Sequence, residues 1–150
     1  CEDVRLFVVG DFGGAENREA YERLMEENGV RSHITICDGY IPDREIEKFF
    51  AACDLVVLPY VSATQGGIVQ IAYGFEKPVV VTNVGGLPDV VEDGKTGYVV
   101  DPETPTALAD AVVRYFKENR EKELDENVKK EAYRCDWDRM SATVERLDLR

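Results

Sequence analysis

A polar, glycine-bearing segment between two apolar stretches contains the residues best suited to chemistry. It reads Ser62-Ala63-Thr64-Gln65-Gly66-Gly67 and lies between the apolar run Leu55–Leu58 and a helical pattern that begins near Ile68. The first turn of a helix has unpaired N–H groups, and glycines let an anion approach them closely. The segment has no lysine, so we expect backbone N–H groups to bind a phosphate or diphosphate. The alternative for Gly66-Gly67 is a tight turn needed only for the passage from strand to helix.

Side chains in the same segment can add contacts to such a ligand. Ser62, Thr64 and Gln65 supply hydroxyl and amide groups that can reach phosphate, ribose or sugar, although ordinary turn and capping roles are the alternative for each. A second glycine pair, Gly85-Gly86, follows the apolar run Val79–Val81. In an open parallel sheet both turns would lie at the carboxyl ends of strands, where ligands bind.

Apolar strand patterns alternate with amphipathic helix patterns along the chain. The strands are expected at Val4–Val9, His33–Cys37, Leu55–Leu58, Val79–Thr82 and Tyr98–Val100. Helices are expected at Glu16–Asn28, after Asp43, from about Ile68 to Phe75, and after Thr104-Pro105. This alternation predicts an α/β fold, a Rossmann-like doubly wound parallel sheet of about five strands with helices on both faces. Residues Arg120–Leu149 are predicted as a charged C-terminal helical segment.

Helical spacing of apolar residues predicts the buried face of each helix. The predicted inward residues are Ala20, Leu24, Tyr21 and Met25 in the first helix, Ile68, Ile71, Ala72 and Phe75 in the third, Leu108, Ala111, Val112, Tyr115 and Phe116 after Pro105, and Leu124, Val128, Trp137 and Val144 in the C-terminal segment.

Composition limits the classes of protein and partner. A length of 150 residues predicts a single domain spanning 1–150. A formal charge of −12 disfavours nucleic acid and anionic membranes, and no apolar run approaches the roughly 20 residues of a membrane helix. The cysteines lack metal or disulfide spacing, so we expect no metal site, core packing for Cys37 and Cys53, and a cytoplasmic location.

The stretch Leu58–Val100 resembles the C-terminal, donor-binding domain of retaining glycosyltransferases with the two-domain GT-B fold, of the glycosyl transferases group 1 or family 4 type. The resemblance rests on the strand ending at Pro59, the polar glycine loop, the turn Lys77-Pro78-Val79-Val80, and Gly85-Gly86-Leu87-Pro88-Asp89-Val90-Val91 followed by Asp93-Gly94-Lys95-Thr96-Gly97. It implies an enzyme that transfers a hexosyl group from a UDP-, GDP- or ADP-sugar with retention, without metal or cofactor, to an acceptor that the chain does not identify.

The resemblance also implies particular donor-binding residues. Tyr40 corresponds to the place where the family holds the nucleotide base, with half-buried packing as its alternative role, and Gln70 is a candidate for binding donor hydroxyls. The complete predicted donor-binding set is Tyr40, Ser62, Thr64, Gln65, Gly66, Gly67 and Gln70. No catalytic residue is assigned.

The chain departs from the family pattern in two ways. At the positions of two family glutamates it has Ala63 and Ile71, neither of which can bind a ribose hydroxyl. It also begins near the end of the family domain's first helix, so we expect a fragment without the first strand and helix. Without that strand, the sheet would either have a gap or take the flavodoxin-like strand order 2-1-3-4-5. The acceptor-binding N-terminal domain would lie outside this chain, and the isolated chain should be inactive.

Other functions compete with this interpretation. The main alternative is a non-catalytic flavodoxin-like module or a scaffold derived from a transferase fragment; a sugar-nucleotide epimerase is another. A receiver domain is disfavoured because Pro59-Tyr60, rather than an acidic residue, follows the third strand. The segment Gly10–Gly14 lacks dinucleotide-loop spacing. We expect structural roles for His33 and for Glu92 and Asp93.

Overall fold

The computed structural model describes residues 4–118 and 120–134, which form five strands and six α-helices. The chain divides into two compact units, Cys1–Lys48 and Phe49–Arg150, with the boundary inside the second helix. Every strand pairing is parallel, which confirms the α/β class. Among the described residues, no helix is both long and apolar enough to cross a membrane.

The first unit contains a two-stranded parallel sheet and one long helix. Its elements are β1 (Leu6–Gly10), α1 (Ala15–Glu27), a 3₁₀ turn (Arg31–His33) and β2 (Ile34–Asp38). Leu6 lies opposite Ile34, and Gly10 lies opposite Asp38. A further helix, α2 (Asp43–Ala52), begins at Asp43, one residue earlier than predicted, and runs into the second unit.

Helix α1 buries a narrower face than its sequence predicts. Met25 is buried, whereas Ala20, Tyr21 and Leu24 are exposed, so the predicted inner face is confirmed only for Met25. Neighbouring strands lie about 4.8 Å apart, so two strands form a narrow platform. Such a platform covers one row of helix side chains and leaves an apolar groove of about 260 Å³ between α1 and the strands.

The second unit is built on a three-stranded parallel sheet with the most apolar strand in the middle. It contains β3 (Val56–Leu58), β4 (Val79–Thr82) and β5 (Gly97–Val100), in the order β3-β4-β5. All four residues of β4 are buried, as expected for a parallel strand covered on both faces. The five strands predicted from the sequence are therefore present, hydrogen-bonded as one sheet of two and one sheet of three.

Alternate residues of β4 face helices on opposite sides of this sheet. Val79 and Val81 belong to a cluster with residues of α3 and α4, while Val80 packs in a second cluster with residues of α5. Helices thus cover both faces, which confirms the doubly wound arrangement for this unit. The helices are α3 (Gly67–Gly74), α4 (Leu87–Val90), α5 (Pro105–Lys117) and α6 (Glu121–Arg134).

Helix α6 anchors the C-terminal part of the described chain. Leu124 and Val128 are both 0% exposed, which confirms them as anchors, and each lies in a different one of the two clusters. The helix therefore contacts the packing on both faces of the sheet. The other two predicted anchors, Trp137 and Val144, lie outside the described residues.

A buried polar network joins α3 to the turn before β5. The Tyr73 hydroxyl lies 2.7 Å from Thr96 Oγ1 and 3.3 Å from the Val90 carbonyl oxygen. Thr96 Oγ1 also accepts a hydrogen bond of 3.0 Å from the Glu92 amide. Since Thr96 is 1% exposed, its hydroxyl satisfies the buried Tyr73 hydroxyl and the partly buried Glu92 amide.

Replacing this hydroxyl should lower the stability of the second unit. Thr96→Val keeps the shape of the side chain but removes the acceptor of the Glu92 amide and the shorter of the two bonds of the Tyr73 hydroxyl, which keeps the Val90 carbonyl oxygen. We therefore expect a loss of about 1–3 kcal/mol in the free energy of unfolding. Denaturant titration followed by circular dichroism measures it. Thr106→Val, at an exposed threonine within α5, is the matched control and should change stability by less than about 0.5 kcal/mol, because threonine and valine have similar helix propensities. Equal stability of the two variants would contradict the role of the network.

Candidate functional site

The loop from Pro59 to Gly66 joins β3 to α3 and lies on the surface of the second unit. The side chains of Ser62, Thr64 and Gln65 are exposed. Gly66 is the N-cap of α3, and no side chain makes a capping hydrogen bond there. Capping of α3, one alternative role considered for these three side chains, is therefore not observed.

The amino end of α3 presents unpaired backbone donors. Within residues 4–118 and 120–134, the amides of Gly66, Gly67 and Ile68 donate to no other group, and the first bond of the helix runs from the Gln70 amide to the Gly66 carbonyl oxygen at 3.1 Å. A Cβ placed on Gly67 would meet no atom within 4 Å. Open space therefore lies beside Gly67, and the helix dipole adds a favourable potential for an anion at this end of α3.

The second glycine turn, Gly85-Gly86, packs against this loop. A Cβ at Gly85 would lie 2.6 Å from the Ala63 carbonyl carbon, and one at Gly86 would lie 3.2 Å from the Thr64 carbonyl oxygen. The two turns lie at the carboxyl ends of neighbouring strands, as the sequence predicts. Their close packing was not predicted from the sequence, because spacing alone does not show which backbone atoms meet.

The prediction that Ile68 and Ile71 of α3 are buried is wrong. Ile68 is 39% and Ile71 is 38% exposed, whereas Val69, Ala72 and Tyr73 form the buried face. Apolar residues spread over more than one face of this helix, so their spacing does not define the buried face. The packing of Val69 and the hydrogen bonds of Tyr73 define it. Gln70 is exposed, beside the isoleucines.

The charges around the loop favour a site that depends on backbone groups. Residues 59–71 include no charged side chain. A neighbouring cavity of about 680 Å³ is lined in part by Asp89, Glu92, Asp93 and Glu131. Those carboxylates would repel a diphosphate, so the amino end of α3 is better suited to an anion than this cavity is.

Tyr40 belongs to the first unit, and its ring is open to solvent. It follows the end of β2 and is 83% exposed, so the half-buried packing considered as its alternative role is not observed. An aromatic ring on an exposed loop is available for stacking on a base. Its contact with a nucleotide stays a prediction.

Other reactive groups have structural partners. His33 Nδ1 lies 3.2 Å from the Val4 carbonyl oxygen, Asp93 Oδ1 accepts the Val99 amide at 2.9 Å, and Glu92 pairs with Lys95 at 2.7 Å. Burial raises the pKa of the Cys53 thiol, which keeps it neutral. No cluster of three or more His, Cys, Asp or Glu residues suited to a metal ion occurs in the part of the chain that the structure describes.

The sequence is similar to glycosyltransferases over most of its length. Residues 1–118 match the family described as Glycosyl transferases group 1. The chain is 28% identical, over 97% of its length, to a D-inositol 3-phosphate glycosyltransferase of Corynebacterium glutamicum and covers 35% of that protein. It is 33% identical, over 75% of its length, to an alpha-D-kanosaminyltransferase of Streptomyces kanamyceticus and covers 28% of it. The chain thus spans about a third of the length of these curated relatives.

Solved structures share its fold. Sucrose-phosphate synthase from Thermosynechococcus elongatus superposes with a TM-score of 0.77 at 23% identity, over 95% of this chain and 37% of that one. The Anabaena protein HepE, solved in complex with UDP, superposes with a TM-score of 0.78 at 23% identity, over 87% of this chain and 36% of that one. These are GT-B fold proteins, so the Rossmann-like fold predicted for this chain is confirmed.

The two adjacent glycines should respond differently to the same substitution. In Gly66→Ala the new methyl group would lie 2.7 Å from Val90 Cγ2, and because valine is stiff about χ1 we expect a loss of about 1–3 kcal/mol in the free energy of unfolding. Gly67→Ala meets open space and should leave stability unchanged or raise it by up to about 1 kcal/mol. Thermal and denaturant unfolding measure both.

A double variant tests the stated cause. Adding Val90→Ala removes the atom that the new methyl group meets, so Gly66→Ala/Val90→Ala should be less destabilised than the sum of the single variants. Strict additivity would show that the contact between residues 66 and 90 is not the source of the cost.

Proposed function

The chain belongs to the Glycosyl transferases group 1 family, and we propose that it binds the nucleotide-sugar donor in an enzyme that transfers a hexosyl group to an acceptor. The reaction would proceed with retention and without a metal. An acceptor-binding domain in another part of the enzyme would complete the active site, and the described chain alone would bind donor weakly and catalyse poorly. We also propose that residues 1–150 form a single nucleotide-sugar-binding domain and that the enzyme is cytoplasmic.

One observation supports this proposal most directly. The amides of Gly66, Gly67 and Ile68 are unpaired within the described residues and adjoin open space at Gly67. Donors arranged in this way can hold the oxygens of a diphosphate, and each hydrogen bond to a charged group contributes about 1.5–3 kcal/mol. A few such bonds can replace the lysine that the loop lacks.

The same donors can serve the chemical step. When the bond between the sugar and the diphosphate breaks, negative charge grows on the diphosphate oxygen that leaves. N–H groups fixed in place beforehand stabilise that charge without rearranging during the reaction. In this role Gly66 and Gly67 act through their backbone N–H groups, and no side chain of the loop gains or loses a proton.

Side chains near the donors are suited to uncharged hydroxyl groups. Ser62, Thr64 and Gln65 lie on the exposed loop, and Gln70 lies on the exposed side of α3. Gln70 would take over donor-hydroxyl binding from the glutamate that the family carries at the position of Ile71. We propose that Tyr40 stacks on the base of a UDP-, GDP- or ADP-sugar; UDP is supported by its presence in the HepE complex.

A non-catalytic role is the competing proposal. Ala63 and Ile71 replace both glutamates of the family pattern, and an exposed isoleucine cannot bind ribose. A scaffold derived from a transferase fragment would keep the fold and lose donor binding. Nucleotide binding therefore separates the two proposals.

Calorimetric titration of the chain with UDP, GDP and ADP tests donor binding. We expect at least one nucleoside diphosphate to bind with a dissociation constant in the millimolar range or below, and the matching nucleoside without phosphates to bind more weakly. Absence of binding by all three at millimolar concentration would favour the scaffold.

A methyl group at the amino end of α3 should weaken nucleotide binding without weakening the fold. Gly67→Ala places it in the open space beside the donors, and partial loss of one charged hydrogen bond corresponds to about a tenfold rise in the dissociation constant for UDP. Gly74→Ala, at the other end of the same helix and also in open space, is the matched control and should bind UDP like the unmodified chain. A Gly67→Ala variant that binds UDP normally would place the diphosphate elsewhere.

A further inference from the structure

We propose that the turn Gly85-Gly86 positions the diphosphate-binding loop, so that the location of the Gly66 and Gly67 amides depends on this second turn. This inference rests on the proposed function, because it concerns the same loop. It makes Gly85 a positioning residue.

Gly85 meets the loop backbone against backbone. Its φ of +53° lies in the left-handed region, and a Cβ there would lie 2.6 Å from the carbonyl carbon of Ala63 and 3.3 Å from its Cα. No flexible side chain lies between the two segments to absorb a displacement. Any residue larger than glycine at position 85 must therefore push Ala63 away.

Further contacts extend the same support along the loop. Thr82, at the end of β4, is 4% exposed and donates its hydroxyl to the Tyr60 carbonyl oxygen at 2.6 Å. Gly86 lies against the Thr64 carbonyl, and Val90 lies against Gly66. Residues 82–90 thus contact the loop at its beginning, middle and end.

The α4 end of this support is itself held by buried bonds. The carbonyl oxygen of Val90 lies 3.3 Å from the Tyr73 hydroxyl, which is also bonded to Thr96. The Val90 backbone is therefore held in place, and its side chain restricts the position that Gly66 can take. Only two residues lie between Ala63 and Gly66, so a movement of Ala63 is expected to displace the Gly66 amide.

Positioning matters because N–H donors act only at hydrogen-bond distance. A displacement of about 1 Å in an active site can reduce activity about a hundredfold. A change in the Gly85-Gly86 turn would therefore lower nucleotide affinity by displacing the Gly66 and Gly67 amides.

Gly85→Ala tests this when compared with Gly94→Ala. Both glycines have positive φ, +53° and +73°, but a Cβ at Gly94 would meet no atom within 4 Å. Both variants thus suffer the same kind of backbone strain, and only the first displaces the loop. We expect Gly85→Ala to raise the dissociation constant for UDP about tenfold or more relative to Gly94→Ala, at a temperature where both are folded. Equal dissociation constants in the two variants would overturn the proposal.

Amide NMR spectra give a readout that does not require a ligand. In Gly85→Ala the resonances of Gly66 and Gly67 should shift, while in Gly94→Ala they should stay in place. Unmoved resonances in Gly85→Ala would overturn the proposal even if binding fell. If the unmodified chain bound no nucleotide, the proposed function would fail, and these spectra would still decide whether the turn positions the loop.

Gly86→Ala covers the case in which Gly85→Ala fails to fold. A Cβ at Gly86 would lie 3.2 Å from the Thr64 carbonyl oxygen, a mild overlap that a small shift of the loop relieves. We expect a folded protein with smaller shifts of the same two resonances and UDP affinity reduced about threefold. Spectra and affinity identical to those of the unmodified chain would contradict the proposal.

Discussion

The spacing of neighbouring parallel strands is the constraint on which the candidate site depends. Strands β3 and β4 are hydrogen-bonded neighbours, so the loops that leave their carboxyl ends start about 4.8 Å apart. Two backbones at that separation leave no room for side chains between them. The glycine at position 85 resolves this conflict, since it lets the turn after β4 pack on the carbonyl of Ala63. The same loop leads into α3, whose first amides, at Gly66, Gly67 and Ile68, have no partner among the described residues.

Charge explains why such a site would use backbone donors. The chain carries a formal charge of −12, and four carboxylates line the cavity next to α4. In physiological salt the field of exposed charges is screened over roughly 8 Å, so donors within hydrogen-bond distance outweigh distant acidic groups. The amino end of α3 provides those donors, and the loop before it adds no negative charge of its own.

The sequence predicted the elements better than their packing. Runs such as Val79–Thr82 are apolar enough to identify a buried strand, and Thr104-Pro105 marks the start of α5 at the observed residue. The outward position of Ile68 and Ile71 was missed because the apolar residues of α3 extend over more than one face, and tertiary contacts of Val69 and Tyr73 decide its orientation. The support of the glycine loop by Gly85 was missed for a related reason: a glycine pair signals a turn or a close approach, and only coordinates show what it approaches.

The departures from the family pattern separate two parts of donor recognition. Binding of a diphosphate by amides depends on backbone geometry, which glycines and neighbouring packing maintain whatever the adjacent side chains are. Recognition of ribose and sugar hydroxyls depends on side chains, and here Ala63 and Ile71 stand where the family has carboxylates. Because α3 keeps its unpaired amino end while presenting isoleucines to solvent, phosphate binding can persist when hydroxyl recognition changes. In the proposed site, nucleotide affinity and sugar selectivity should therefore respond to different substitutions: the first to changes at Gly66, Gly67 and Gly85, the second to changes at Gln70 and Ile71.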